Sequence, residues 1–215
     1  MENNEEKRGL IENIIQLEWN LFDKVPNEGG RACCQDDWET FSLMRESQYK
    51  SWTVPLLESW RSDIFHAADE GRNPMTEKYG YMMIYSDPEE NAAIAEKLPP
   101  ISEEKLSLCR HITERLLLQA EDFRREYPRI AGRARPLRIS DEKEAGWTSI
   151  ESYQLGELSA CSMRTLKLLD ALTSEYEAAA INYSASIIEN SLRKKGFKNA
   201  AEAEAFLAAR EKNCC

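Results

Sequence analysis

Apolar residues recur at three- and four-residue spacing along most of this 215-residue chain. This is the spacing at which an α-helix buries one face, whereas a half-buried strand alternates apolar and polar residues. No alternating pattern persists anywhere in the sequence, and it contains no internal repeat. The periodicity therefore predicts an all-α fold, a single-domain bundle of about seven to nine helices.

Caps and prolines predict where these helices begin and end. The first helix is expected from about residue 5 to residue 25, because Pro26 cannot continue it. Asn73 is the predicted N-cap of a short helix with Pro74 at its first position, and Ser102 is expected to begin a long helix. Asn199 is expected to cap the last helix.

The chain length favours one helical domain over residues 1–215. We expect a loop at 128–147 between its two main helical halves, and a small C-terminal helix and tail at 199–215. From Thr148, the predicted N-cap, a long helical region should run with a bend or restart near Thr173. Gly156 lies inside it, where it permits either close helix contact or ligand approach.

Charge and composition exclude several classes of protein. Asp and Glu outnumber Lys and Arg by 38 to 28, and this net charge of −10 argues against general nucleic-acid binding. No apolar run approaches the roughly 18 residues of a membrane span. The first residues, MENNEEKRG, lack the basic start and apolar core of a signal peptide. We therefore expect a cytoplasmic protein with no membrane contact.

The cysteines and histidines do not predict a metal site. Six cysteines occur, none of them in a CxxC arrangement, together with only two histidines. Free thiols are expected in a reducing compartment, and we predict neither a metal nor a cofactor. A magnesium site built from Asp36, Asp37 and a glutamate is the alternative left open.

The segment from Asn27 to Trp52 couples a glycine turn to a helix. Gly29 and Gly30 are expected to supply positive φ for the turn. Asp36 is the predicted N-cap, with Glu39 at the capping-box position.

One face of this helix combines aromatic and polar residues. It carries Trp38, Phe41, Arg45, Gln48 and Trp52. Three aromatic side chains predict that the face packs inward, and a buried guanidinium then needs a carboxylate or an anionic ligand beside it.

The partner of Arg45 decides between a structural and a functional interpretation. Glu18 lies on the apolar face of the first helix and is the first expected partner, while Glu157 is a second carboxylate near an apolar surface. Asp37 or another glutamate could equally form a structural ion pair with Arg45. In the functional interpretation, these groups line a ligand pocket walled by residues 27–52.

Arginines concentrate in one further segment, RREYPRIAGRARPLR at 124–138. Arginines in such a loop can hold phosphate or carboxylate through paired hydrogen bonds, or they can balance nearby acidic residues. With the residues above, the predicted ligand-binding set is Glu18, Arg31, Asp36, Asp37, Arg45, Gln48, Glu77, Arg135 and Glu157.

Four stretches carry a resemblance to a known family: LEW at 17–19, NEGGRACCQDDWETFSLMRESQ at 27–48, TEKYGYMM at 76–83 and TSIESYQLGELSACSMRTLKL at 148–168. Through them nearly the whole chain resembles a bacterial family of unknown function. The resemblance implies an all-helical protein, and some members are joined to a nucleotidyltransferase-like domain. It implies work alongside nucleotide chemistry but no particular reaction.

Three functions follow from these patterns, and no catalytic residue is assigned. The first is an uncharacterised helical protein that binds a small polar or anionic molecule at the 27–52 segment, where paired carboxylates could act as acid and base. The alternative is a noncatalytic protein-interaction module accessory to a nucleotidyltransferase. The third is RNA cleavage through Arg61 and His66, five residues apart.

Overall fold

The computed structural model describes residues 2–27, 29–132 and 134–212, so Arg133, Cys214 and Cys215 lie outside the described residues. The described part contains no strand and twelve α-helices. These are α1 (Glu2–Phe22), α2 (Trp38–Tyr49), α3 (Val54–Asp69), α4 (Pro74–Ser86), α5 (Ala92–Ala95), α6 (Glu103–Glu126), α7 (Pro128–Ala131), α8 (Glu142–Ala145), α9 (Ile150–Ala160), α10 (Met163–Ala178), α11 (Tyr183–Lys194) and α12 (Ala200–Lys212). Two 3₁₀ turns occupy Cys33–Asp36 and Ile139–Asp141.

The all-α prediction is confirmed, but the count of seven to nine helices was too low. Three of the twelve, α5, α7 and α8, have only four residues, which is too short for a sequence period to appear. Two of these short helices and one 3₁₀ turn lie within residues 128–147, which were expected to form a loop.

The helical region that begins near residue 148 was expected to bend or restart near Thr173. This prediction is wrong, because α10 continues through Thr173. The chain breaks instead after Ala160, where Ser162 caps α10. Asp63 of α3 stabilises this start by accepting a hydrogen bond from the Ser162 amide at 2.9 Å. The start of α10 thus combines a local cap with a contact from a side chain almost a hundred positions away.

Two predicted N-caps are displaced by one residue. Asp37, not Asp36, caps α2 and accepts a hydrogen bond from the Thr40 amide at 2.9 Å. Ser149, not Thr148, caps α9. The turn before α2 uses Gly30 alone at positive φ, +87°, so the same expectation for Gly29 is wrong.

The remaining caps are as predicted, because each depends on residues close in sequence. Asn73 accepts a hydrogen bond from the Met75 amide at 2.9 Å and starts α4. Ser102 starts α6, and the Asn199 side chain accepts from the Glu202 amide at the start of α12.

The main core joins both halves of the chain. It contains fully buried residues of α1, α2, α3, α6 and α10, namely Ile14, Tyr49, Leu56, Leu57, Ile112 and Leu166. A smaller cluster of Phe123, Leu192, Ala200 and Ala203 holds α12 against α6 and α11. Among the described residues no helix is long and apolar enough to cross a membrane.

Gly156 permits close contact between helices. Of the two alternatives given for it, helix contact and ligand approach, this is the one that the structure shows. A Cβ atom at this position would lie 2.6 Å from the Lys78 carbonyl oxygen and 2.9 Å from the Met82 amide nitrogen. Only hydrogen fits there, so α4 and α9 pack backbone to backbone. This contact brings Lys78 of α4 beside Glu157 of α9.

Candidate functional site

Glu18 and Arg45 form a buried ion pair between α1 and α2. The Arg45 Nε donates to Glu18 Oε2 at 2.8 Å, and its Nη2 donates to Oε1. Glu18 also accepts hydrogen bonds from the Tyr49 hydroxyl at 2.5 Å and the Trp60 indole at 2.9 Å. The expected partner of Arg45 is therefore the one observed, and α3 contributes to the same carboxylate.

Glu157 receives the other end of the Arg45 guanidinium. Arg45 Nη1 lies 3.1 Å from Glu157 Oε2 and donates to the Gln48 carbonyl at 3.0 Å. The Gln48 amide donates to Glu157 at 2.7 Å. Lys78 donates to Glu157 at 2.5 Å and to the Tyr153 hydroxyl at 2.8 Å.

Charges therefore alternate along Glu18, Arg45, Glu157 and Lys78, which we call the ionic network. Its four side chains come from α1, α2, α9 and α4 and sum to a formal charge of zero. Their side chains are 0%, 7%, 15% and 3% exposed. Every charge has an opposite charge within 4 Å, so the network satisfies itself and locks four helices together.

Glu157 and Lys78 of the network are held in their charged forms. Burial alone would raise the pKa of Glu157, but the charges of Arg45 and Lys78 outweigh it and lower that pKa well below its usual range. Burial alone would lower the pKa of Lys78, but the charge of Glu157 outweighs burial and raises that pKa. General acid–base catalysis needs a pKa near the working pH. The geometry therefore favours a structural role over proton transfer.

Three of the other predicted site residues serve the loop before α2. Arg31 binds Asp23 at 2.6 Å and Asp36 at 2.8 Å on the surface, while Asp37 caps α2. These contacts are local and hold the turn against the end of α1. They do not bring the side chains to the ionic network.

Glu77 and Arg135 complete the predicted set. Glu77 is buried but pairs with Arg72 at 2.6 Å. The exposed Arg135 lies at the outer edge of the network, with its guanidinium carbon 5.7 Å from the centre of the Tyr153 ring. Four of the nine predicted residues thus converge, one lies beside them and four lie elsewhere. Their role as ligand contacts stays a prediction.

Lys78 of the network was missed, as were three side chains that hydrogen-bond to it or to Glu18, namely Tyr49, Trp60 and Tyr153. Tyr49 could have been found, because it lies four residues after Arg45 on the same helix face. Lys78 and Trp60 carry no such signal, since their positions depend on how α4 and α3 pack.

Gln35 is a further missed residue and joins the turn to the end of α1. It is 2% exposed, and its amide nitrogen donates to the carbonyl oxygens of Phe22 at 2.8 Å and Val25 at 3.0 Å. Its side-chain oxygen accepts from the Ala32 amide at 3.0 Å. No sequence pattern distinguishes a buried loop amide from an exposed one.

The outer face of α2 borders a cleft. This space of about 860 Å³ lies between α1, α2 and the end of α11, and we call it the α1–α2 cleft. Trp38, expected to pack inward, is 40% exposed here and contacts Trp19 edge-on at 5.4 Å. The lining residues used below are Lys7, Ile11, Ile15, Trp38, Glu46, Lys50 and Lys194.

Three lysines meet at one end of this cleft. Glu46 binds Lys50 and Lys194, each at 2.9 Å. Lys7 donates to the Lys50 carbonyl oxygen at 3.0 Å. Its own pKa is lowered by partial burial, and no carboxylate among the described side chains pairs with it. Glu46 therefore pairs with two ammonium groups, and Lys7 lies beside them on the backbone at the end of α2.

Comparison with known proteins places the chain in a family. A family described as proteins of unknown function, DUF4125, matches residues 8–205, which include the whole ionic network. The chain belongs to DUF4125. No curated protein and no solved structure matches it.

In this DUF4125 chain the magnesium alternative finds no supporting geometry. Across the described residues, no three His, Cys, Asp or Glu side chains lie close enough to share a metal ion. Asp36 is turned toward Arg31, and Asp37 toward the start of α2.

The Arg61 and His66 pair is likewise not assembled. Both residues lie in α3, where five positions correspond to about 140° around the helix axis. His66 is exposed and lies 3.7 Å from Glu70. The two side chains therefore lie on different sides of α3, and RNA cleavage through them stays a prediction.

Proposed function

We propose that this protein binds a small anionic molecule in the α1–α2 cleft. The observation that carries the proposal is the grouping of three lysines at one end of the cleft: Lys50 and Lys194 share Glu46, and Lys7 donates to the Lys50 carbonyl oxygen. The site is walled by the segment 27–52, but by the flank of α2 beside its aromatic and polar stripe.

Volume and charge support this assignment. Ligand pockets enclose about 300–1,000 Å³, and the α1–α2 cleft measures about 860 Å³. The protein carries a net charge of −10, whereas the cleft lining has more basic than acidic side chains: Lys7, Arg8, Lys50 and Lys194 against Glu5, Glu12 and Glu46. An anion would gain the pairing that Lys7 lacks among the described side chains, and would share Lys50 and Lys194 with Glu46.

The cleft also has apolar side chains in its lining. These are Ile11 and Ile15 of α1 and Trp38 of α2. A ligand with an anionic group and an apolar or aromatic part would satisfy both kinds of side chain, since a ring packs favourably against an indole.

The ionic network supports the same site from behind. It joins α1 to α2 through Glu18 and Arg45, so the two walls of the cleft are held at a fixed separation. Binding sites between rigid, packed helices bind more strongly because less motion is lost when the ligand enters.

Thermal-shift measurements followed by calorimetry test the proposal. The probes are nucleotides, sugar phosphates, dicarboxylates and aromatic carboxylates. We expect at least one of them to raise the melting temperature saturably, and Lys194→Ala to weaken its binding by about tenfold, or about 1.4 kcal/mol.

Lys195→Ala is the matched control, because it removes the same charge one residue away and outside the cleft lining. Its Kd should stay within about twofold of wild type. Equal weakening by both variants, or the absence of a saturable shift with any probe, would refute the proposal.

A further inference from the structure

A second surface surrounds Arg135, on a part of the chain that the α1–α2 cleft does not use. Arg135 donates to the Thr148 carbonyl oxygen at 3.2 Å and lies over the Tyr153 ring. Arg124 donates to the Arg135 carbonyl oxygen, and Trp147 directly precedes Thr148. Arg124, Arg135, Trp147 and Tyr153 are therefore neighbours, and we call them the Arg135 surface.

The arginines of this segment fall into two groups. Three have carboxylate partners: Arg125 with Asp122, Arg129 with Glu204 and Glu211, and Arg138 with Glu114 and Glu121. Within the described residues, Arg124 and Arg135 instead donate to a carbonyl oxygen, and neither has a carboxylate within 4 Å. Direct ion pairs therefore account for three of the arginines, whereas Arg124 experiences the charge of Asp141 only from beyond 4 Å.

Trp147 is presented by an anchored turn. It is 68% exposed and follows Gly146, whose φ of +68° closes α8. On its other side, Ser149 donates to the buried Glu142 through its amide at 2.6 Å and its hydroxyl at 2.5 Å. Both ends of the turn are thus held, and the indole is kept in solvent by ordered backbone.

We infer that the Arg135 surface docks an acidic segment of a partner protein, with carboxylates on Arg124 and Arg135 and an apolar side chain on Trp147. Guanidinium groups bind carboxylates through paired hydrogen bonds. Arg, Trp and Tyr are the residue types that concentrate binding energy at protein interfaces. The net charge of −10 disfavours an extended nucleic acid as the occupant.

Nuclear magnetic resonance can detect the weak binding expected of a generic probe. The probe is a blocked hexapeptide of aspartate, glutamate and leucine, and the observed signal is the Trp147 indole NH, assigned with Trp147→Phe. We expect this signal to shift saturably with the acidic peptide. A peptide with lysine in place of its acidic residues should leave the signal unchanged.

Variants separate a specific surface from general attraction. Arg135→Ala and Trp147→Ala should each raise the Kd of the acidic peptide by about fivefold or more. Arg125→Ala removes an exposed charge from the end of α6, already paired with Asp122, and should change Kd by less than about twofold. Shifts in the remaining amide signals report binding by the Trp147 variant, which lacks the indole signal.

Three results would overturn the inference. They are equal weakening by Arg125→Ala and Arg135→Ala, equal shifts with the lysine peptide, and a Trp147 shift caused by oligothymidylate but not by the acidic peptide. Thermal melting accompanies each variant. Because Trp147 is mostly exposed, its replacement should leave the melting temperature unchanged even if Arg135→Ala loosens the turn.

Discussion

At the residue scale, Glu18 is the carboxylate on which the buried side of the ionic network depends. It is 0% exposed and accepts hydrogen bonds from Arg45, Tyr49 and Trp60. Glu18→Ala would leave three buried donors short of a partner. Breaking a buried ion pair from one side costs about 3–5 kcal/mol, and we expect that loss in the free energy of unfolding measured with urea.

Glu12→Ala provides the comparison on the same helix. Glu12 is 71% exposed and lies 3.7 Å from Arg8, an arrangement worth about 0–1 kcal/mol. If both variants lose similar stability, the buried pair contributes no more than a surface pair, contrary to our expectation.

Glu157 should make the free energy of unfolding decrease at acid pH. Its pKa in the folded protein lies below the unfolded value of about 4.3, because Arg45 and Lys78 outweigh the effect of burial. The unfolded chain therefore takes up protons first as the pH falls. The stabilisation is complete above about pH 5 and decreases progressively below about pH 4.3, as urea titrations between pH 7 and pH 3 should show.

Glu157→Gln removes this titration. The variant should be less stable at pH 7, since Arg45 and Lys78 lose a charge partner, and its stability should fall less steeply between pH 5 and pH 3. Parallel pH dependence of the two proteins would contradict the assignment.

At the element scale, α4 and α9 touch through their backbones at Gly156. Replacing a helical glycine by alanine should therefore lower the free energy of unfolding at Gly156 and raise it at Gly9. Alanine raises helix propensity by about 1 kcal/mol. At Gly156 the new methyl group would meet the Lys78 carbonyl at 2.6 Å, and overpacking of this kind costs about 1–3 kcal/mol or more. Because backbone must move, we expect Gly156→Ala to lower the free energy of unfolding.

Gly9 of α1 is the matched control. No atom lies within 4 Å of the position that its Cβ would occupy. Gly9→Ala should therefore raise the free energy of unfolding by about 0.5–1 kcal/mol. Stabilisation by alanine at both positions would mean that α4 and α9 do not touch at Gly156.

At the scale of the whole molecule, stability should be unevenly distributed. Helix α12 packs through the small cluster with Phe123 and Leu192, whereas α3 is buried in the main core through Leu56, Leu57 and Ile64. Hydrogen exchange by mass spectrometry should show residues 200–212 opening at lower free energy than residues 54–69. Equal protection of the two helices would indicate that the molecule opens only as one unit.

The Glu18–Arg45 pair was predictable because both charges lie on apolar faces of long helices, where each requires compensation. Glu157 was identified as a second carboxylate for the same reason. Lys78 was not, because its approach to Glu157 follows from the packing of α4 on α9 at Gly156. The α1–α2 cleft was also missed, since it lies on the flank of α2 beside its aromatic and polar stripe, where the two share only Trp38.

The sequence by itself determined the all-α class, the long helices, most of their caps and the need for a partner at Arg45. Each of these depends on residues within a few positions, or on the cost of burying a charge. Only the tertiary structure decided that Arg45 meets Glu157, 112 positions away, that Asp63 contacts the start of α10, and that Lys50 and Lys194 share Glu46. Such partners depend on how whole helices pack, and local periodicity carries no information about which faces meet.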